Sequence, residues 1–334
     1  MIYLTESLTL PPNCNLTDTR FIIKGINNIV LDLNGSILTS TGHESAIFVT
    51  ADASTTTSYI TVKNGTIQGY GTAVFVHCAI NSAELAALKN DPEGVYPSIQ
   101  ATAPYHITFE NIDIQQPKGT GFYVWVGASY VTINNCSVDG ARGLGVYLDT
   151  GSHHNIVSNS TFTNGGFLNP DGTAKTGRGR REAIAVDGSD ENTIVGNTIT
   201  GNAYGGIHLY SNCGEYVSTD PTYIPRIFDA EYNVIDGNTI SNNGTSGGAV
   251  AIGKRVDWNL ESWDCAKPLY QQYLSFKYYW DNSGFNTVKN NTGNGDIFVR
   301  TDNNTLTNNQ QAVTVNSVVR TLAGDPLVNN QVTP

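Results

Sequence analysis

Charged side chains are scarce in this 334-residue chain, at 14%, roughly half the usual share. That shortage excludes coiled coils and long helical bundles, whose flanking positions need charge. Lysine and arginine total 18 against 29 aspartates and glutamates, a formal net charge of −11. A protein that grips a nucleic-acid backbone carries the opposite sign, so no nucleic-acid partner is expected. No run of eighteen apolar residues occurs, which argues against membrane insertion. The opening MIYLTESLTLPPN lacks the basic and apolar stretches of a signal peptide. The five cysteines (14, 78, 136, 213 and 265) show no CxxC and no Cys/His tract, so no metal site is expected of them. Most read as neutral buried thiols. Cys213 and Cys265 fall in long polar loops, which predicts a disulfide between them and an oxidising compartment, secreted or periplasmic.

What the chain does have is a repeat. Asparagine follows a short β-rich run at Asn64, Asn111, Asn135, Asn159, Asn197, Asn238, Asn291 and Asn309. A second β-rich run precedes each, as in AVFVH (73–77), FYVWV (122–126), GVYLD (145–149), AIAVD (183–187), GIHLY (206–210) and AVAIG (249–253). Short strands closed by Gly/Asn corners at a period near 24 predict stacked β-coils, with corner amides hydrogen-bonding from coil to coil. A β-sandwich would not hold one motif in one place eight times. The fold class is therefore all-β, one parallel β-helix over 1–334, right-handed by the crossover rule. Residues 1–26 are placed to cap the exposed solenoid end.

The distance from second run to asparagine is ten residues for Trp125–Asn135, Asp149–Asn159 and Asp187–Asn197. It grows to 34 for His77–Asn111, 28 for Tyr210–Asn238 and 38 for Gly253–Asn291. Insertions thus leave one corner at 78–105, 211–230 and 254–285, and a fourth, 164–182, enters the same strand from its other end. Insertions clustered along one strand stack build walls around one sheet face. The first should contain a short helix, with Ser82 as N-cap and a stop at Asp91-Pro92.

Alternation along the second run separates core from outward residues. Val74/Val76, Phe122/Val124, Val146/Leu148, Ile184/Val186, Ile207/Leu209 and Val250/Ile252 are the core. The outward set is Phe75/His77, Tyr123/Trp125, Tyr147/Asp149, Ala185/Asp187, His208/Tyr210, Ala251/Gly253 and Phe298/Arg300. A plain solvated face would carry Thr, Ser, Lys and Asn. Aromatic rings about 4.8 Å apart could instead platform the sugar rings of a linear polymer, or simply stabilise the stack.

Asp149 and Asp187 fall on neighbouring coils and so should lie about 5 Å apart, close enough for a retaining glycosidase pair. They could equally hold a calcium ion, the one cofactor the sequence suggests, or cap ordinary turns. Cations flank the same face: Lys175, Arg178, Arg180 and Arg181 enter the Asp187 strand, and Lys254 and Arg255 leave two coils later. His208 sits outward beside Tyr210, with small neighbours at Ala185 and Ala251, where imidazole and phenol could carry protons. Glu182 and Glu215 are further acids, and His153-His154 reads as a turn.

The segment NNIVLDLNGSIL (27–38) and the following N-T-I-x-G-N units resemble the right-handed parallel β-helix proteins that act on polysaccharides. That group contains pectate and alginate lyases, mannuronan C5-epimerases, polygalacturonases and phage tailspike depolymerases. The resemblance covers about 27–310 and implies a fold and a polysaccharide substrate. The NTD, DD, GHG and RIK set of polygalacturonases is missing, with GH only at Gly42-His43. The epimerase DPHE motif is also missing. No catalytic residue transfers.

Three classes follow from the residues. A lyase or C5-epimerase on an acidic, uronate-containing polymer needs a cation, a base and an acid. Arg181, Lys254 and Arg255 would neutralise the sugar carboxylate, and His208 and Tyr210 would exchange protons beside Asp187 and Glu182. Substrate would lie over Tyr123, Trp125, Tyr147, Asp149, His77 and Glu215. A glycoside hydrolase would use carboxylates from Asp149, Asp187, Glu182 and Glu215. A binding module would need only the aromatics. The cations beside a His/Tyr pair favour the first.

Overall fold

The computed structural model describes residues 1–212, 222–253, 269–273, 276–279, 281–315 and 326–333. Among them, eleven parallel strands form one continuous sheet, one strand per coil. The strands Val74–Cys78, Phe122–Trp125, Val146–Asp149, Ile184–Asp187, Ile207–Tyr210 and Val250–Ile252 are consecutive members. The remaining solenoid strands pair coil to coil in a second parallel stack, as Ile156↔Thr193↔Val234 and Thr161↔Thr198↔Thr239 illustrate. Residues 1–26, expected as a cap, run as a coil of the same pattern, with Ile2↔Phe21 and Leu8↔Leu31 in parallel register.

Alternation places the core as expected. Val76, Val124, Leu148, Val186, Leu209 and Ile252 are all buried and belong to one continuous apolar cluster. β-Branched residues dominate because a parallel strand is covered on both faces and Val and Ile lose little rotamer freedom there. Cys78 and Cys136 are buried free thiols, and burial pushes the Cys136 thiol up to about 12. Cys213 and Cys265 lie outside the described residues.

The corner asparagines form ladders, but they split into two columns. Asn64, Asn111 and Asn135 take left-handed backbone and link by exposed amides at 3.0 and 2.6 Å. Asn197, Asn238, Asn291 and Asn309 turn inward: the Oδ1 of each of the last three accepts the preceding asparagine's Nδ2, at 3.0, 3.0 and 2.9 Å. The offset is one residue, because Gly196 and Gly237 take over the left-handed position ahead of the inward amide. A parallel inward column runs through Asn155, Asn192, Asn233, Asn286 and Asn304. These amides satisfy backbone groups that would otherwise be orphaned in the bend.

At another corner, Tyr59, His106, Tyr130 and His154 all take left-handed backbone, with ring centroids 4.9, 4.8 and 4.8 Å apart. His154 Nε2 also meets Glu191 Oε2 at 2.9 Å.

The first insertion holds two helices, α1 (Ser82–Asn90) and α2 (Pro92–Thr102). The N-cap of α1 is Asn81, not Ser82, and Glu84 completes a capping box with it. Asp91-Pro92 stops α1 and also starts α2, since proline at the first helical position needs no donor and the Asp91 carboxylate accepts Gly94 N–H at 3.0 Å. Both helices pack on a small second core with Cys78, Val126 and Ile224. Among the described residues no helix is long and apolar enough to cross a membrane.

Candidate active site

The outward side chains of the eleven-stranded sheet fall into two columns. Phe75, Tyr123, Tyr147, Ala185, His208, Ala251 and Phe298 are in register in the first. His77 and Trp125 are in register in the second, as are Asp149, Asp187 and Tyr210 further along it. The rings of Phe75, Tyr123 and Tyr147 stack face to face at 4.9 Å spacings. This spacing is the coil repeat itself.

Asp149 and Asp187 are fully buried, and a third residue joins them. Arg226, from the 211–230 insertion, donates Nη1 to Asp149 Oδ1 at 2.5 Å and Nη2 to Oδ2 at 3.1 Å. The same Nη1 lies 2.9 Å from Asp187 Oδ2. Tyr123 Oη donates to Asp149 Oδ2 at 2.7 Å and Tyr147 Oη to Asp187 Oδ2 at 2.8 Å. The backbone N–H groups of Thr150 and Asn212 fill Asp149 Oδ1 and Asp187 Oδ1, each at 2.7 Å.

Burial pushes the Asp187 carboxyl up to about 6, with Arg226 pulling it down and Asp149 pushing it further up. Burial opposes the Arg226 charge, but the two carboxylates hold its pKa well above the ordinary value. Burial and the adjacent Asp149 carboxylate raise the pKa of Tyr123 and Tyr147 well above the usual phenol. The guanidinium occupies the place between the carboxylates that the sequence offers to calcium. In this arrangement the pair is an ionic cage that ties an insertion to the sheet.

One coil further the chemistry changes. Glu182, fully buried, places Oε1 3.7 Å from His208 Nδ1 and accepts Tyr210 Oη at 3.4 Å. A small pocket opens beside this trio, lined by Tyr204, His208, Tyr210, Gly247, Ala251 and Arg300 among others. The imidazole stands in a slot that only small residues permit: a Cβ on Gly247 would lie 2.7 Å from His208 Cε1. Tyr204 closes the slot edge-on, its ring centroid 5.5 Å away. A buried carboxylate in reach of both an imidazole and a phenol can hold or relay a proton between them.

Residues 45–223 match the family model described as right handed beta helix region. The chain belongs to this right-handed β-helix family. No curated protein matches the sequence. Among solved structures, the catalytic domain of GH87 alpha-1,3-glucanase in complex with nigerose has a TM-score of 0.53 at 13% identity. It covers 99% of this chain, which spans 58% of the glucanase chain's length. Endo-xylogalacturonan hydrolase from Aspergillus tubingensis has a TM-score of 0.47 at 10% identity, covering 97% of this chain and 88% of its own. Pectate lyase Pel9A has a TM-score of 0.44 at 14% identity, covering 87% and 70%. At such identities the likeness is one of fold.

Within this family fold the residues singled out by sequence separate into groups. His208, Tyr210 and Glu182 converge, while Asp187 joins Asp149, Tyr123 and Tyr147 in the cage. His77 and Trp125 lie at the aromatic end, with ring centroids 6.0 Å apart. His77 Nδ1 meets the Cys78 carbonyl at 2.8 Å, and burial pushes its pKa down to about 4, so it is neutral at pH 7. Trp125 packs against the second core under the first insertion. Arg181 is half-buried and bonds Tyr204 through its backbone, and Lys175 Nζ donates to the Arg142 carbonyl at 2.6 Å. Glu215, Lys254 and Arg255 lie outside the described residues, although Lys254 directly follows Gly253 of the pocket lining. The sequence does not single out Arg226 or Tyr204, and it marks Arg300 only by its outward parity. Arg226 sits in a non-repeating insertion, where no local signal could have found it.

Proposed function

We propose that this protein is a polysaccharide-active enzyme whose chemistry is centred on Glu182, His208 and Tyr210. The observation that carries the reading is a fully buried carboxylate in reach of an imidazole and a phenol that, with Arg300, line one pocket. A β-elimination on a uronate polymer fits this set best. A base takes the C5 proton, an acid protonates the departing glycosidic oxygen, and the electron pair forms the C4=C5 double bond. His208 and Tyr210 fill the two proton-carrying roles and Glu182 holds their orientation. Arg300, with Arg181, Lys254 and Arg255, stabilises the charge that develops on the uronate. Returning the proton to the opposite face of C5 would give the epimer from the same constellation. The aromatic column leads to the pocket as a path for sugar rings. A polymer substrate agrees with a secreted or periplasmic location.

A glycoside hydrolase is the second reading, favoured by the elevated pKa of Asp187, which suits a general acid. The cage weighs against it, because Arg226 and the tyrosines occupy the Asp149 and Asp187 oxygens. The decisive experiment incubates the protein with alginate, polygalacturonate, an α-glucan and a galactan. New absorbance from unsaturated uronates marks a lyase, and inversion at C5 seen by NMR marks an epimerase. Reducing ends without absorbance mark a hydrolase. Silence on all four would leave the binding-module reading.

A further inference from the structure

A second pocket opens on the turn that leads into the eleven-stranded sheet, some coils before the His208 slot, and shares none of its lining residues. Its volume is about 250 Å³, and it is lined by Gln116, Gly140, Ala141, Arg142, Asn164, Phe167 and Leu168. Three successive coils build its floor. Gln116, Gly140 and Asn164 each take left-handed backbone, with φ of 49°, 66° and 56°, and each follows its predecessor by one coil. Gly140 is the middle one, and its missing side chain leaves a gap between two amides about 9.6 Å apart, twice the coil spacing. A Cβ there would already stand 3.4 Å from Gln116 Cγ, so any larger residue fills the gap.

The wall comes from the 164–182 insertion, where Phe167 and Leu168 are 42% and 38% exposed although both are large and apolar. Arg142 donates Nη1 to the Pro170 carbonyl at 2.5 Å and thereby braces that wall. Lys175 Nζ bonds the Arg142 backbone, so a second cation stands close by in a protein of net charge −11. Among the described residues the Gln116 amide makes no side-chain hydrogen bond. Asn164 spends Nδ2 on Asp139 Oδ1 at 2.8 Å. Planar amides and a guanidinium are matched to adjacent hydroxyls or a carboxylate, and an exposed phenyl ring to the apolar face of a sugar. The volume lies below the ~300–1,000 Å³ of drug-sized sites, which suits one ring and not two.

We propose that this pocket is an accessory binding site for a single acidic pyranose unit, with Phe167 under the ring, Gln116 and Asn164 on its hydroxyls and Arg142 on its carboxylate. It shares no lining residue with the His208 pocket, and it extends the polysaccharide reading without depending on which bond is broken. The test uses D-galacturonate and D-galactose, which differ at the carboxyl group, added to 15N-labelled full-length protein. Galacturonate should shift the amide resonances of Gly140, Ala141 and Leu168 in a saturable manner. Galactose should bind about fivefold or more weakly, for want of the charge-assisted contact. Phe167→Ala and Gln116→Ala should each remove the shifts, and neither residue braces the fold as Arg142 does. Equal binding of the two sugars, shifts that survive both variants, or no shift at Gly140 would each overturn the proposal. Shifts confined to the His208 pocket would overturn this site and leave the proposed enzyme standing. Saturable shifts at Gly140 in a protein that degrades no polymer would uphold this site and count against the enzyme.

Discussion

Arg226 and Asp149 are 77 residues apart in the chain, and two parallel hydrogen bonds of 2.5 and 3.1 Å join them. Because Asp149 is fully buried on the sheet and Arg226 comes from an insertion, this pair fixes the insertion to the sheet. Arg226→Ala would leave two buried carboxylates around an empty space. The expected loss is about 3–5 kcal/mol of stability, as for other broken buried ion pairs. Urea denaturation checks it, and a loss below about 1 kcal/mol would mean the cage is solvated and structurally idle.

The cage also sets a pH dependence. The folded Asp187 carboxyl titrates near 6 against an ordinary 3.8, so the folded state holds this proton more tightly than the unfolded state. Its contribution is therefore full below about pH 4 and fades as pH rises through 6. One proton gives a slope of at most about 1.4 kcal/mol per pH unit. Other carboxylates titrate in the same range, so the quantity to measure is wild-type stability minus that of Asp187→Asn. That difference should fall between pH 4 and 6, and a flat difference would contradict the raised pKa.

His208→Gln preserves most of the side-chain volume in the slot while removing the imidazole. Turnover on the polymer found active should drop by about two to four orders of magnitude, with the unfolding midpoint nearly unchanged. Glu182→Gln should lower turnover in the same way. Gly247→Ala should mimic it without removing a proton carrier, because the new methyl would press on His208 Cε1 and the Tyr204 carbonyl. If His208→Gln keeps full activity and Asp149→Asn abolishes it, the hydrolase reading takes over.

The inward amides predict a stability effect far from any chemistry. Asn238 accepts from Asn197 N and Nδ2 and donates to Asn291 Oδ1 and the Ile194 carbonyl. Asn238→Ala would strand several buried groups, each costing about 1–3 kcal/mol. A loss of about 3 kcal/mol or more is expected in chemical denaturation. Asn111→Gly, on the exposed column, keeps the left-handed backbone unstrained and should cost under about 1 kcal/mol, since water replaces the lost partner.

The β-helix was legible because its signals are local and repeat in every coil. Period-two alternation separates Leu148 from Asp149, adjacent in sequence yet opposite in facing, and the burial of Leu148 in the central apolar cluster agrees. The same alternation set Tyr147, Asp187, His208 and Tyr210 on one outward face. Glu182 precedes its strand, and only the folded chain brings it to His208 and Tyr210. The Asn columns show where local reading stops: Asn159 and Asn197 look alike in sequence, but a one-residue offset turns one out and the other in. Arg226 shows why. An insertion has no repeat to index it, so its contacts depend on where a long excursion lands, and that is decided by packing on Tyr96 and Phe228 as much as by charge. By itself the sequence determined the coil, its core and its outward face; tertiary structure alone decided which carboxylates are neutralised and which stand beside a proton carrier, because those pairings join residues that no periodicity connects.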